Sequence, residues 1–370
     1  MIALALLAAA AWIYLLAAHG RFWSAGPVLA PTAPASWPAV DIVIPARDEA
    51  ESVADCLNSL LAQDYRGPLR LILVDDGSTD GTGDIARGLD DPRVTVIKGR
   101  ARPEGWSGKL WAVSQGVAEG AAKLVLLCDA DIVHAPAHVS TLVAQAERFQ
   151  LDLVSEMVEL NCESAAERAL VPAFVFFFQL LYPFAHVNDP ASRVAAAAGG
   201  TVLVRRAALE RIGGIAAVKG ALIDDVALAT AVKRHGPIWL GHSQLARSIR
   251  PYPHPADIWR MVARTAYVQL RFSPVLLVGT VLGLALVWLA PPALALFGHG
   301  AARWIGLATW AASAASYVPT LRRFRQNPAW ALGLPFIASF YMAATLGSAL
   351  DHHRGRGVVW KRRAYQGAGA

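Results

Sequence analysis

Four runs without a single charged residue constrain this chain more than any motif in it. Ile2 to Ala18, Pro274 to Phe297, Trp304 to Leu321 and Ala329 to Leu350 each reach the roughly 17 to 25 residues that carry a helix across a bilayer. Hydrocarbon offers no partner for a bare backbone group, so such runs can cross a membrane only as helices. Arg21 follows the first run, no basic residue precedes it, and it has no convincing small-residue cleavage site. This flank pattern predicts an uncleaved anchor rather than a signal peptide, with the following residues in the cytosol.

Charge divides along the same line. From Pro251 onward, 12 Lys and Arg face only Asp257 and Asp351, whereas the first 250 residues carry a net charge of −4. An acidic globular part on a basic membrane part suits anionic headgroups, and nothing resembles a nucleic-acid module. Three cysteines, Cys56, Cys128 and Cys162, are widely spaced without a CxxC, which suggests neither a disulfide framework nor a zinc site. With a cytosolic globular part, three later spans place Arg322, Arg323 and Arg325 inside, but put outside a tail carrying Arg354, Arg356, Lys361, Arg362 and Arg363. A re-entrant run, at Pro291 and Pro292 or at Pro335, would resolve that conflict.

Between the apolar ends, strand and helix alternate. Ser24 to Val40, with four prolines, reads as a stiff linker. Asp41 to Pro45, Leu69 to Val74, Arg93 to Lys98, Leu124 to Cys128, Leu151 to Val158 and Ala195 to Val204 read as strands, with helices at Asp48 to Ala62, Leu110 to Gly120 and after Pro136. This is a parallel α/β sheet, in which ligands bind beyond the carboxyl ends of the strands. Asp75-Asp76-Gly77-Ser78 and Asp129-Ala130-Asp131 stand at two such ends. The paired aspartates offer hard oxygen donors that suit Mg²⁺ or Mn²⁺ carrying a diphosphate.

Other features are less specific. Lys109, in a glycine-bearing helix entry, can reach a phosphate. Gly199 and Gly200 permit close approach of a ligand. Asp224 reads as an ordinary helix-start acid, and Asp225 as a base pointing into the cleft. Leu170 to Phe184, apolar all round over 15 residues, is either an interfacial segment or a buried helix; its phenylalanines would suit the path of an apolar acceptor. Ala256 to Phe272 reads as an amphipathic helix that aligns Arg260, Arg264 and Arg271. These arginines suit lipid headgroups or a diphosphate leaving group.

Taken in order, Val43 to Glu49, Val74 to Ser78, Gly108-Lys109, Asp129 to Asp131 and Asp224-Asp225 resemble the motifs of a family 2 glycosyltransferase of the GT-A fold, over roughly Asp41 to Phe272. Trp106 to Trp111, Pro172 to Gln179, Ala221 to Asp225 and Val262 to Ala266 are similar, more narrowly, to the hopanoid-biosynthesis-associated glycosyltransferases of bacteria. The resemblance implies that Pro45, Ala46, Arg47, Asp48, Asp75 and Asp76 hold the base and ribose of a nucleotide sugar, with UDP as the expected nucleotide. It implies Lys109 and Arg264 or Arg271 near the diphosphate, Asp131 and Asp129 on the metal, and Asp225 as the base of an inverting transfer. The acceptor it implies is a membrane lipid, a hopanoid or a polyprenyl phosphate, and the site a bacterial inner membrane crossed several times.

The organisation expected is an anchor at 1–20, a linker at 21–40, a GT-A domain at 41–250, an interfacial helix at 251–273, about three membrane helices over 274–350 and a basic tail at 351–370. Gln269-Leu-Arg271-Phe272 stands where polymerising members carry Gln-x-x-Arg-Trp, which disfavours a polysaccharide synthase. A non-catalytic nucleotide-binding scaffold would be expected to lose its carboxylates, and Asp75, Asp129, Asp131 and Asp225 are all present.

Overall fold

Asp41 to Ala46 lies in a strand with every residue buried, as expected for a β-branched stretch covered on both faces. The structure is a computed structural model. It describes residues 1–24, 26–355, 358–360 and 363–365, the last two stretches by their backbone alone. Its residues group into two units: 27–161 with 186–251, and 1–26 with 162–185 and 252 onward.

The first unit is built on an eight-stranded sheet. Its strands are β1 (Val40–Ala46), β2 (Leu69–Asp75), β3 (Val94–Lys98), β4 (Leu124–Cys128), β5 (Ile132–His134), β6 (Leu153–Glu159), β7 (Thr201–Arg205) and β8 (Ile238–Ser248), in the spatial order β3-β2-β1-β4-β7-β6-β8-β5. The first four strands run parallel, and β6 is parallel to β8; β7 and β5 run against their neighbours. Sheet-unit helices are α2 (Val53–Leu61), α3 (Thr82–Arg87), α4 (Gly108–Glu119), α5 (His138–Arg148), α8 (Arg206–Arg211) and α9 (Asp224–Lys233). On α2, Val53, Cys56, Leu57 and Leu60 recur at helical spacing and are fully buried in the main core.

The register opens the crevice. β1 pairs with β2 along its whole length but with β4 only as far as Val43 opposite Leu127. Pro45, which has no N–H to give, falls just beyond that limit. There β4 goes on pairing with the antiparallel β7, Cys128 opposite Thr201. Loss of one parallel partner at this end leaves a gap beyond the carboxyl ends of β1 and β4, where open α/β sheets bind ligands.

Close packing of α4 against these strands depends on Gly116. A Cβ there would lie 2.4 Å from Val43 Cγ1 and 3.1 Å from Val74 Cγ2. Gly116→Ala is therefore expected to destabilise the protein by about 1 to 3 kcal/mol despite alanine's better helix propensity. A thermal midpoint equal to that of the wild type would contradict this close approach.

One expectation for this unit is corrected. Ala195 to Val204 is not one strand, because β7 begins at Thr201 and Ala195 to Ala198 are buried but irregular. Part of the proline-rich stretch expected as a linker is bonded to this unit. Leu29 N–H donates to the His242 carbonyl at 2.8 Å, Thr32 N–H to Thr141 Oγ1 at 3.2 Å, and the Tyr65 hydroxyl to the Pro38 carbonyl at 2.5 Å. Prolines cannot join a ladder, but their carbonyls still accept bonds from the unit's surface.

The second unit is helical: α1 (Ile2–Ala17), α6 (Ala165–Leu181), α10 (Pro255–Gln269), α11 (Pro274–Leu284), a π-turn at Ala285–Leu289, α12 (Ala290–Phe297), α13 (Gly300–Arg323), a 3-10 turn at Pro328–Gly333 and α14 (Leu334–His353). The short α7 (Phe184–Asn188) crosses the sequence boundary between the units, and β9 (Val358–Trp360) pairs antiparallel with β10 (Arg363–Tyr365). Two helical segments, Pro274–Phe297 and Pro328–His353, are long and apolar enough to cross a membrane. The first helix spans 16 residues, and α13 is long but less apolar.

Pro291 and Pro292 do not end their helix. Pro291 cannot donate to the Val287 carbonyl four residues back, and Trp12 Nε1 on α1 donates to that oxygen instead, at 2.8 Å. On α6, Phe176 is fully buried against Tyr317, and Phe177 packs edge-on to Trp288 and Tyr341. These two rings pack between helices of the unit. The expected interfacial helix is also shorter: α10 ends at Gln269, and Arg271 and Phe272 take left-handed φ angles of 53° and 55°. Arg271 therefore does not share a helical face with Arg260 and Arg264. Of the basic tail, Arg356, Lys361 and Arg362 lie outside the described residues.

Candidate active site

Two loops at the carboxyl ends of β1 and β2 are fastened to each other. Asp48 takes a left-handed φ of 50°, which a short polar side chain tolerates. Its N–H donates to Ser78 Oγ at 3.1 Å, and its Oδ1 accepts the Thr79 N–H at 2.9 Å. Glu49 N–H donates to Thr82 Oγ1 at 2.9 Å. Asp75 Oδ1 accepts the Ser78 N–H at 2.8 Å, and the Arg47 guanidinium donates to the Asp76 carbonyl with the Asp76 carboxylate 3.7 Å away. Pro45, Ala46, Arg47, Asp48, Asp75 and Asp76 thus stand on two connected loops, with Pro45 lining the cleft.

A cluster of charge lines the same cleft as Pro45. Ser107 caps α4 by accepting the Leu110 N–H at 3.3 Å, which sets Lys109 in the first turn. Lys109 Nζ lies 2.9 Å from Asp129 Oδ1, just past β4, and 3.2 Å from Asp224 Oδ2, at the start of α9. Asp225 Oδ2 faces Gly199: a Cβ at that glycine would sit 3.2 Å from this oxygen and 3.6 Å from Lys109 Nζ. Any side chain at 199 would crowd both groups. Lys109, Asp129, Gly199, Asp224 and Asp225 line one cleft together with Pro45.

One cation here faces several anions. Burial works against the charge on Lys109, but Asp129, Asp224 and Asp225 outweigh it and raise its pKa. Asp129 is pushed up to about 6, by burial first and then by Asp131 and Asp224 against the opposing pull of Lys109. Asp225 is pushed up to about 7, by burial first and then by Asp224.

The two acids of α9 both reach the cleft but differ in their bonds. Asp224 makes no capping bond and pairs with Lys109, whereas Asp225 Oδ1 accepts the Val226 N–H at 2.7 Å and leaves Oδ2 toward the cleft. Asp131 is held by Arg250, whose Nε lies 2.6 Å from Asp131 Oδ2 and whose terminal nitrogen lies 2.8 Å from Glu49 Oε1. Sequence reasoning missed Arg250 and Glu49 as site residues. The signal was an arginine just before Pro251, two residues past a strand that its mixed polar sequence hid. Arg264 and Arg271 belong to the helical unit.

Hard carboxylate oxygens in surplus over nearby cations fit a hard divalent metal. Asp129 and Asp131 would hold it, since their side chains stay 34% and 13% exposed at the strand end. Lys109 and Arg250 each neutralise one of these two carboxylates.

A partly parallel sheet with an Asp-x-Asp turn at the carboxyl end of a central strand is the GT-A architecture of nucleotide-sugar transferases. Residues 41–213 match the sequence profile of glycosyl transferase family 2. It is 34% identical over 115 residues to an N-acetylglucosaminyltransferase of Mesorhizobium japonicum, covering 30% of this chain and 26% of that protein. It is 34% identical over 94 residues to the 4,4'-diaponeurosporenoate glycosyltransferase of Staphylococcus aureus, covering 25% and 24%. The chain thus spans about a quarter of the length of these two relatives. The mannosyltransferase PcManGT of Pyrobaculum calidifontis, solved with GDP-Man and Mn²⁺, shares the fold at a TM-score of 0.57 and 21% identity, over 94% of this chain and 99% of that one.

Proposed function

We propose that this protein is an inverting glycosyltransferase that moves a single sugar from a nucleotide-sugar donor, a UDP-sugar, to a membrane lipid, a hopanoid or a polyprenyl phosphate. The observation that carries the reading is Lys109 held between Asp129 and Asp224, with Asp225 Oδ2 beside it at Gly199, in a chain whose residues 41–213 match the family 2 profile. The two apolar helical segments support a lipid acceptor and a multi-pass inner-membrane location with the GT-A domain cytosolic. The similarity to a relative that glycosylates 4,4'-diaponeurosporenoate supports it as well.

In this reading the stretch from Pro45 to Asp48 with Asp75 and Asp76 holds the nucleoside. Asp129 and Asp131 hold Mg²⁺ or Mn²⁺, which when bound would offset the charge growing on the departing diphosphate. Lys109 adds a second positive charge beside the same oxygens. With a hydroxyl acceptor such as a hopanoid, Asp225 takes the proton as that oxygen attacks the anomeric carbon, on the face opposite the leaving nucleotide.

Two measurements test it. Lipid mass spectrometry of a bacterium with and without the gene is expected to show one glycosylated lipid lost, which names sugar and acceptor together. An unchanged lipid profile would overturn the lipid acceptor. Calorimetric titration with UDP is expected to show binding at least about tenfold tighter with Mn²⁺ than with EDTA. Equal affinity in both would remove the metal from the site.

A further inference from the structure

Beneath the turn that carries Asp129 and Asp131, a second set of ligating atoms is gathered that the transfer reaction does not use. Cys56 comes from α2, Cys128 is the last residue of β4, and His134 is the last of β5. All three are buried, and their sulfur and nitrogen atoms lie within 4.8 Å of one another. Cys128 Sγ is 3.1 Å from His134 Nε2. The Asp129 carbonyl oxygen is 3.2 Å from Cys128 Sγ and 3.7 Å from Cys56 Sγ, so a fourth donor faces both thiols.

We propose that Cys56, Cys128 and His134, completed by the Asp129 carbonyl oxygen, form a binding site for a soft divalent cation of the Zn²⁺ type. Zn–S bonds of about 2.3 Å and Zn–N bonds of about 2.0 Å in a tetrahedron place the ligand atoms roughly 3.3 to 3.8 Å apart. The observed separations need only small side-chain adjustments to reach this.

The surroundings orient the histidine as a ligand. His134 Nδ1 lies 2.9 Å from His138 Nδ1, and His138 Nε2 contacts Glu156 Oε1, which also accepts the Thr201 hydroxyl at 3.0 Å. The consistent proton assignment has His138 Nε2–H donating to Glu156 and His134 Nδ1–H donating to His138. That leaves a bare lone pair on His134 Nε2, aimed at the sulfurs. A ligand histidine whose other nitrogen is fixed through to a carboxylate is the usual support of a metal site. The charge also balances. Each thiol gives up its proton on binding, and two thiolates with one dication sum to zero, which suits a site whose ligand residues are all buried. This donor set is distinct in chemistry from Asp129 and Asp131, whose carboxylates select hard cations.

The test uses the full chain in detergent, stripped with a chelator and kept reduced, titrated with Co²⁺. A thiolate-to-cobalt charge-transfer band is expected to saturate at one equivalent, to be displaced by Zn²⁺, and to withstand a large excess of Mn²⁺ or Mg²⁺. Cys128→Ser is expected to abolish the band, and Cys162→Ser, which alters the cysteine outside the cluster, to leave it. No band in the wild type, or a band that survives Cys128→Ser, overturns the proposal. Should Cys128→Ser not fold, X-ray absorption at the zinc edge of the loaded wild type decides. Two sulfur ligands support the site, and nitrogen and oxygen alone overturn it. A Cys56–Cys128 disulfide that takes up no metal after reduction overturns it as well.

Discussion

Asparagine in place of Asp225 lowers turnover by about 10³-fold while leaving donor affinity within about twofold, because it removes only the group that accepts the acceptor's proton. Steady-state kinetics together with UDP titration separate the two effects. The carboxylate acts as a base only when ionised, and it is pushed up to about 7. Wild-type turnover is therefore expected to climb about tenfold per pH unit and to level off above about pH 7. Stability runs the other way. A carboxylate held above its ordinary value near ~4 keeps its proton more tightly folded than unfolded. Its contribution is complete below about pH 4 and is lost as pH rises through about 7. The substituted amide does not ionise, and its side-chain oxygen can still accept the Val226 N–H. At about pH 8, Asp225→Asn should therefore unfold at a higher temperature than wild type, by roughly 1 kcal/mol once solvent screening at this half-buried group is allowed for. Retained turnover would remove Asp225 from the mechanism.

Lys109→Met has the second large effect. It deletes the one ammonium that lies within 3.2 Å of both Asp129 and Asp224, and leaves the carboxylates facing one another. We expect kcat/KM to fall by about 10² to 10³-fold, with weaker donor binding as well as slower transfer, since a cation beside the diphosphate acts on both. Unlike Asp225→Asn, this variant should show the loss in UDP titration. Kinetics identical to wild type would place Lys109 outside the reaction.

The strands β1, β2, β3 and β4 were legible because buried parallel strands are short apolar runs, and Asp75, Asp76, Asp129 and Asp131 because they interrupt those runs at their carboxyl ends. Lys109 was legible from its place at a helix entry. Other parts were not. The long β8 was hidden by its mixed polarity and with it Arg250, two residues past its end, and the donors expected on one helix, Arg264 and Arg271, are separated by the end of α10 at Gln269. The roles of Asp224 and Asp225 could not be assigned from adjacency, because the path of the chain decides which carboxylate meets Lys109.

By itself the sequence determined the class of fold, its first four strands and the end of the sheet where ligands bind, since burial and chain direction are written locally in hydrophobic period and punctuation. Only the tertiary structure decided which distant side chains meet. Cys56 and Cys128 have no metal-site spacing in the chain, yet α2 and β4 bring both to His134 and to the Asp129 carbonyl. A ligand set made across elements depends on sheet order and helix placement, which spacing along one chain does not encode.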